Sequence, residues 1–188
     1  MKKILLIFVL AAVVSSANLF SWDPSYLATY PQCTKGGDWQ LNFGIGFPYA
    51  EEHFRVLVPP IRFTFDKNTP LGDKKLPFFF GGLVTYSANT WKDHNSKRHM
   101  ISYINTAVRI GYHFNWDVDR LDTYVVSKFG AGFRIDNSSL GGDKVWPVVG
   151  TNIGARWYVS EKFGFWAEGG LGFHNLTPNA NIGFAFKL

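Results

Sequence analysis

The chain has 188 residues, a length that suits one domain, and a formal charge of +5 that falls to +3 without Lys2 and Lys3 at the extreme N-terminus. No dense Lys/Arg patch occurs, so a nucleic-acid partner is not expected. Glycine is frequent (19 residues) and aromatics reach 18%, yet mean hydropathy is near zero, far below that of a bundle of membrane helices. Strands that alternate apolar and polar residues hide their hydrophobicity in such a neutral average.

The N-terminus reads as a leader. Met1-Lys2-Lys3 is positive, Ile4–Val14 is an unbroken apolar core, and Ser15-Ser16-Ala17 supplies small residues for cleavage before Asn18. Residues 1–17 are therefore expected to be a signal peptide. An uncleaved anchor is the competing reading, but the apolar core is only about a dozen residues, against roughly 20 for a spanning helix. No later segment has that length either, so any span must be made of strands. Residues 18–37 lack periodicity, contain Pro24 and Pro31, and read as a periplasmic N-terminal lead-in. Cys33 is the sole cysteine, which excludes an intramolecular disulfide and leaves an incidental thiol or an intermolecular partner.

From residue 38 to 188 the side chains alternate, as they do on strands with two unlike faces. The first strand is predicted over Asp38–Phe47, with Trp39, Leu41, Phe43, Ile45 and Phe47 opposite Gln40, Asn42, Gly44 and Gly46. The second covers Phe54–Phe65, interrupted at Pro59-Pro60, where proline cannot donate to a ladder. The third covers Leu76–Ser87. The fourth and fifth form the clearest pair, Ile104–Phe133. There Ile104, Val108, Ile110, Tyr112 and Phe114 face one way, and Asn105, Ala107, Arg109, Gly111 and His113 the other. Val145–Val159, Lys162–Phe173 and Asn179–Leu188 complete eight strands, each near the length that a tilted strand needs to cross a bilayer. An even number puts both ends on one side. Asn115–Asp119 and Ser160-Glu161 read as short periplasmic turns, and Ala88–His99 and Asp136–Lys144 as longer outer loops. Asp66–Lys75 is long for a periplasmic turn, and Pro48–His53 is short for an outer loop.

Alternation alone would also fit a soluble barrel with its apolar face inward. The polar register decides against that. A water-exposed face would be crowded with Lys, Glu, Thr and Gln. This one is Gly, Asn and Ala, punctuated by Tyr124, Trp146, Arg156, Tyr158 and Trp166, the pattern of a narrow closed interior that must seat a few bulky groups. Trp39, Phe47, Tyr86, Tyr112, Phe114, Trp157, Phe163 and Phe173 fall near strand ends, where aromatic girdles sit. The expected fold is all-β: a closed antiparallel up-and-down transmembrane β-barrel.

With its leader, its alternating strands and its last strand Asn181-Ile182-Gly183-Phe184-Ala185-Phe186-Lys187-Leu188, the chain resembles the small eight-stranded bacterial outer-membrane proteins of the OmpX, OmpA-barrel and OmpW kind. The resemblance covers residues 38–188 and is one of architecture. It implies an outer-membrane location, outer-membrane lipid as surroundings, and recognition by periplasmic chaperones and the barrel-assembly machinery. The assembly signal would fall on Phe184, Phe186 and Leu188, although this chain ends in leucine where the family pattern has an aromatic.

An eight-stranded barrel is just wide enough for side chains to fill it. The expected lumenal network is Arg109, Lys128, Arg134, Arg156 and Glu168, with Glu168 paired to Arg156 or Arg134 on neighbouring strands. Arg62, Lys187, Gln40, Asn42, Asn105 and Asn152 fall in the same register. The excess of cations calls for water, Asp122 or loop carboxylates to balance it. A cation-lined path for anions is the alternative to a structural plug. Leu83, Val126, Trp146 and Val148 interrupt the polar register and would line either an apolar pocket or a small internal core. Neither His174 with Thr177 nor Asp93, His94, Ser96 and His99 has a defensible catalytic or metal-binding spacing. No catalysis, cofactor or metal is expected. The reading is a non-enzymatic outer-membrane barrel, structural or contacting surface ligands through its outer loops. A conduit for small apolar molecules, as in OmpW, is the alternative, and a lipid-modifying barrel enzyme the minor one.

Overall fold

The computed structural model describes residues 28–47, 55–92, 97–137, 144–173 and 180–188; residues 1–27 and the intervening segments lie outside them. The described residues form eight strands: β1 (Trp39–Gly46), β2 (Arg55–Asn68), β3 (Phe78–Lys92), β4 (Arg98–Phe114), β5 (Leu121–Asp136), β6 (Lys144–Tyr158), β7 (Phe163–Phe173) and β8 (Ala180–Lys187). Each is antiparallel to its sequence neighbours, and β8 closes onto β1 from Gln40↔Lys187 to Gly46↔Asn181, so every edge is paired into a closed barrel.

Several boundaries differ from the sequence reading. β2 runs through Pro59-Pro60 with register shifts on both sides of Val58, then continues past Phe65 to Asn68. Asp66 is thus a wall residue and not the start of a turn. The expected outer loop Ala88–His99 is mostly ladder, since β3 and β4 stay paired up to Lys92↔Arg98. The small polar residues Asn89 and Thr90 read as a loop, yet they stay in the ladder opposite Ile101 and Met100. The long link after β2 is partly organised by a bridge between Leu71 and Leu76.

Over most of the wall the two registers separate. Val108 is 61% exposed, Ile153 70% and Leu171 82%, while Gln40, Asn42, Arg62, Thr64, Asp66 and Arg156 are fully buried. The barrel is polar inside and apolar outside, and a wall of that kind suits lipid and not water. Aromatic side chains gather near the end where β1 starts and β8 finishes, the base. Trp39 stacks on Phe65 at 4.4 Å, Tyr112 lies edge-on between Phe78 (5.0 Å) and Phe114 (5.6 Å), and Phe163 packs on Phe186 at 5.3 Å.

Interior glycines make room for bulky neighbours across the ladder. Gly154 pairs with Tyr124 and Gly132 with Trp146. A Cβ at Gly154 would overlap the Tyr124 ring, and one at Gly132 the Trp146 indole. These rings therefore lie flat against the opposite strand and fill the lumen.

Candidate functional site

The interior is layered. At the top, Leu83, Ile101, Tyr103, Ala107, Trp146 and Val148 form a buried apolar cluster with Trp91 packed against it. Phe79, Tyr124 and Val126 form a second cluster lower down, and Tyr158, Trp166 and Ala185 a third, with Cys33 against it. The four apolar residues that interrupt the polar register thus sit in internal cores: Leu83, Trp146 and Val148 in the first, Val126 in the second.

Between them lies a charged network. Glu168, on β7, accepts from four donors: Arg109 Nη2 at 2.8 Å, Arg62 Nη1 at 3.0 Å, Asn152 Nδ2 at 2.7 Å and Tyr124 Oη at 2.9 Å. Trp166 Nε1 donates in turn to the Tyr124 oxygen at 2.7 Å. Arg156, on β6, is the second hub. It donates through Nη2 to Asp66 at 2.9 Å, through Nη1 to Asp122 at 2.8 Å and through Nε to Asn42 at 2.9 Å, and its guanidinium stacks over the Tyr124 ring at 4.3 Å. Asp66 joins the two hubs, its other oxygen 3.1 Å from Arg109 Nε. Below, Asp122 contacts His113 Nδ1 at 2.6 Å, and His113 Nε2 contacts Asn68 at 3.0 Å. All three carboxylates are fully buried and paired, as buried charges must be.

The expected residues are thus distributed differently from the pairing foreseen. Glu168 pairs with Arg62 and Arg109, which reach it across the lumen, and not with Arg156 on the adjoining β6 or Arg134 on β5. Arg156 is held by Asp66 and Asp122. Arg134 stands near the top of β5 and pairs with Asp136 two residues along, its side chain still 23% exposed. Lys187 lies at the base and donates to the Cys33 carbonyl at 2.6 Å. Lys128 is buried, its Nζ without a hydrogen-bond partner among the described residues. The apparent cation excess is offset by two carboxylates: Asp122, considered from the sequence, and Asp66, hidden in a stretch read as a turn. The alternation Arg62-Thr64-Asp66 was the available signal for it.

Glu168 has four donors, and both ring nitrogens of His113 are engaged, which leaves neither placed to take a substrate proton. Among the described residues no group of three His, Cys, Asp or Glu side chains is arranged to hold a metal ion. His99 is buried on β4 and stacks on Trp91 at 5.0 Å. Asp93, His94, Ser96, His174 and Thr177 lie outside the described residues. Phe184, Phe186 and Leu188 all point outward on the closing strand, and the Leu188 amide donates to the Trp39 carbonyl at 2.9 Å. An apolar groove of about 830 Å³ runs over the outer wall there, lined by Phe43, Phe47, Trp157, Phe165 and Phe184.

No protein-family model matches the chain, and no curated protein matches it. Among solved structures it is similar to the N-terminal β-barrel domain of Pseudomonas aeruginosa OprF (17% identity, TM-score 0.49, 82% of this chain and 100% of that one). It is also similar to a de novo designed transmembrane β-barrel (17%, TM-score 0.41, 82% and 98%). A third is Ail, the attachment invasion locus protein of Yersinia pestis, solved with the heparin analogue sucrose octasulfate (11%, TM-score 0.44, 81% and 96%). The closed eight-stranded barrel, polar within and apolar without, has the architecture of the small transmembrane barrels that the sequence resembles.

Proposed function

We propose that this protein is a non-enzymatic outer-membrane barrel that serves as a rigid wall, meeting surface ligands through the segments that join its strands at the top. The observation that carries this reading is the filled lumen. Arg62, Arg109 and Arg156 are consumed by Glu168, Asp66 and Asp122, and the apolar cluster of Leu83, Ile101, Trp146 and Val148 stands above them. Such an interior fixes the barrel's shape and offers little room for a passing solute. The leader would send the chain across the inner membrane. Periplasmic chaperones and the assembly machinery would then read the closing strand at Phe184, Phe186 and Leu188.

Conduction is the decisive test. The purified, refolded chain in planar bilayers should give no steps above baseline. Reproducible conductance would overturn the plugged-barrel reading.

A further inference from the structure

We propose that residues 28–38 are a stopper seated in the base of the barrel, sealing the charged lumen from water at that end. The segment is bonded to β2, β3, β8 and the turn between β4 and β5. The Tyr30 hydroxyl donates to the Phe78 carbonyl at the start of β3, at 2.7 Å, and its ring lies 5.5 Å from that of His113 on β4. In the turn between β4 and β5, Asn115 donates to Thr29 Oγ1 at 3.0 Å and Asp117 accepts from Gln32. On β8, Lys187 donates to the Cys33 carbonyl. On β2, the Gly37 amide donates to the Asn68 carbonyl at 2.9 Å, and Asn68 Nδ2 donates to the Lys35 carbonyl at 3.0 Å. The segment also has internal order: the Thr34 amide donates to the Pro31 carbonyl at 2.9 Å, and Asp38 accepts from the Lys35 amide at 3.0 Å.

A polar tail lying loosely on a surface would not bury its own residues, yet Pro31, Thr34 and Asp38 are buried and Cys33 packs against Tyr158, Trp166 and Ala185. The stopper is also wired into the network behind it. Asn68 holds the Lys35 carbonyl with its amide nitrogen and His113 with its oxygen, and His113 holds Asp122, a partner of Arg156. Buried ion pairs are strong only where water is kept out. A seal over His113 and Asp122 therefore protects the interactions that fill the barrel.

The full chain folded in lipid nanodiscs tests this by two readouts. Backbone hydrogen exchange over residues 28–38 should be slowed by about 100-fold or more relative to a free peptide, as for a locally stable unit. Tyr30→Ala or Lys187→Met should remove most of that protection while the β4 and β5 amides stay protected. Diethyl pyrocarbonate, a water-soluble imidazole reagent, should leave His113 unmodified in the parent and modify it in Tyr30→Ala. Free-peptide exchange in the parent would overturn the proposal. So would His113 labelling in the parent, or a His113 that stays inert in a Tyr30→Ala variant whose segment has lost protection.

Discussion

Glu168→Gln probes the network at its most connected point. The substitution keeps the shape and removes the charge. Glu168 is fully buried and faces two guanidinium groups at 2.8 and 3.0 Å, with Asn152 and Tyr124 also donating to it. Glutamine offers one acceptor oxygen in place of two and turns an NH2 toward groups that themselves donate. Arg109 is left with Asp66 as its carboxylate, and Asp66 already serves Arg156. Breaking a buried pair by removing one partner costs about 3–5 kcal/mol, or roughly two to four decades in the folding equilibrium. The assay is reversible urea unfolding in lipid vesicles, followed by tryptophan fluorescence and by the shift in gel mobility between folded and unfolded barrel. The control is Arg134→Gln, whose partly exposed pair with Asp136 should be worth about 1 kcal/mol or less. A double-mutant cycle of Glu168→Gln with Arg109→Gln should show coupling of about 1–3 kcal/mol. If Glu168→Gln costs no more than Arg134→Gln, the lumen is wet and the account of a dry filled interior fails.

Four further outcomes are expected. Lys128→Met should stabilise the barrel by about 1–3 kcal/mol in the same unfolding assay, because a buried ammonium with no hydrogen-bond partner among the described residues is replaced by a chain of similar length; a loss of stability would reveal a partner for Lys128. Gly154→Val should abolish or strongly weaken refolding, since its Cβ occupies the space of the Tyr124 ring, and a fully folded variant in the gel assay would contradict the packing. Val108→Arg should cost about 2–4 kcal/mol in vesicles, as for a charge on the lipid face, whereas a position in water would show almost none. Burial first, and Asp122 second, push the Cys33 thiol up to about 12, so its alkylation rate should keep climbing about tenfold per pH unit beyond pH 9, where a free thiol levels off. Because that pKa is raised on folding, the thiol's contribution to seating residues 28–38 is complete below about pH 9 and is lost as pH rises toward 12.

The fold was legible because its main signal is local. Alternation and glycine placement in the polar register fixed which side chains share a face, and pairs such as Tyr124 with Gly154 followed once adjacent strands were aligned. The partners inside the lumen were not legible in the same way. Arg62 and Glu168 lie on β2 and β7, and their meeting at 3.0 Å depends on how the sheet tilts and closes, which no strand's own sequence records. Asp66 was hidden because Asp66-Lys67-Asn68 has the composition of a turn, although its spacing from Arg62 and Thr64 keeps the inward register. The seating of residues 28–38 was invisible for the same reason. A segment without periodicity gives no face, and its partners are single side chains such as Asn115, Asp117 and Lys187 at the barrel's rim.

The inversion of inside and outside is tested most directly by methyl NMR of the protein in lipid nanodiscs. Nuclear Overhauser contacts to lipid acyl chains should appear at the methyls of Val108, Ile153 and Leu171, and contacts to neither lipid nor bulk water at those of Val126 and Val148. Water contacts along Val108, Ile153 and Leu171, or lipid and water reaching Val126 and Val148, would contradict the account.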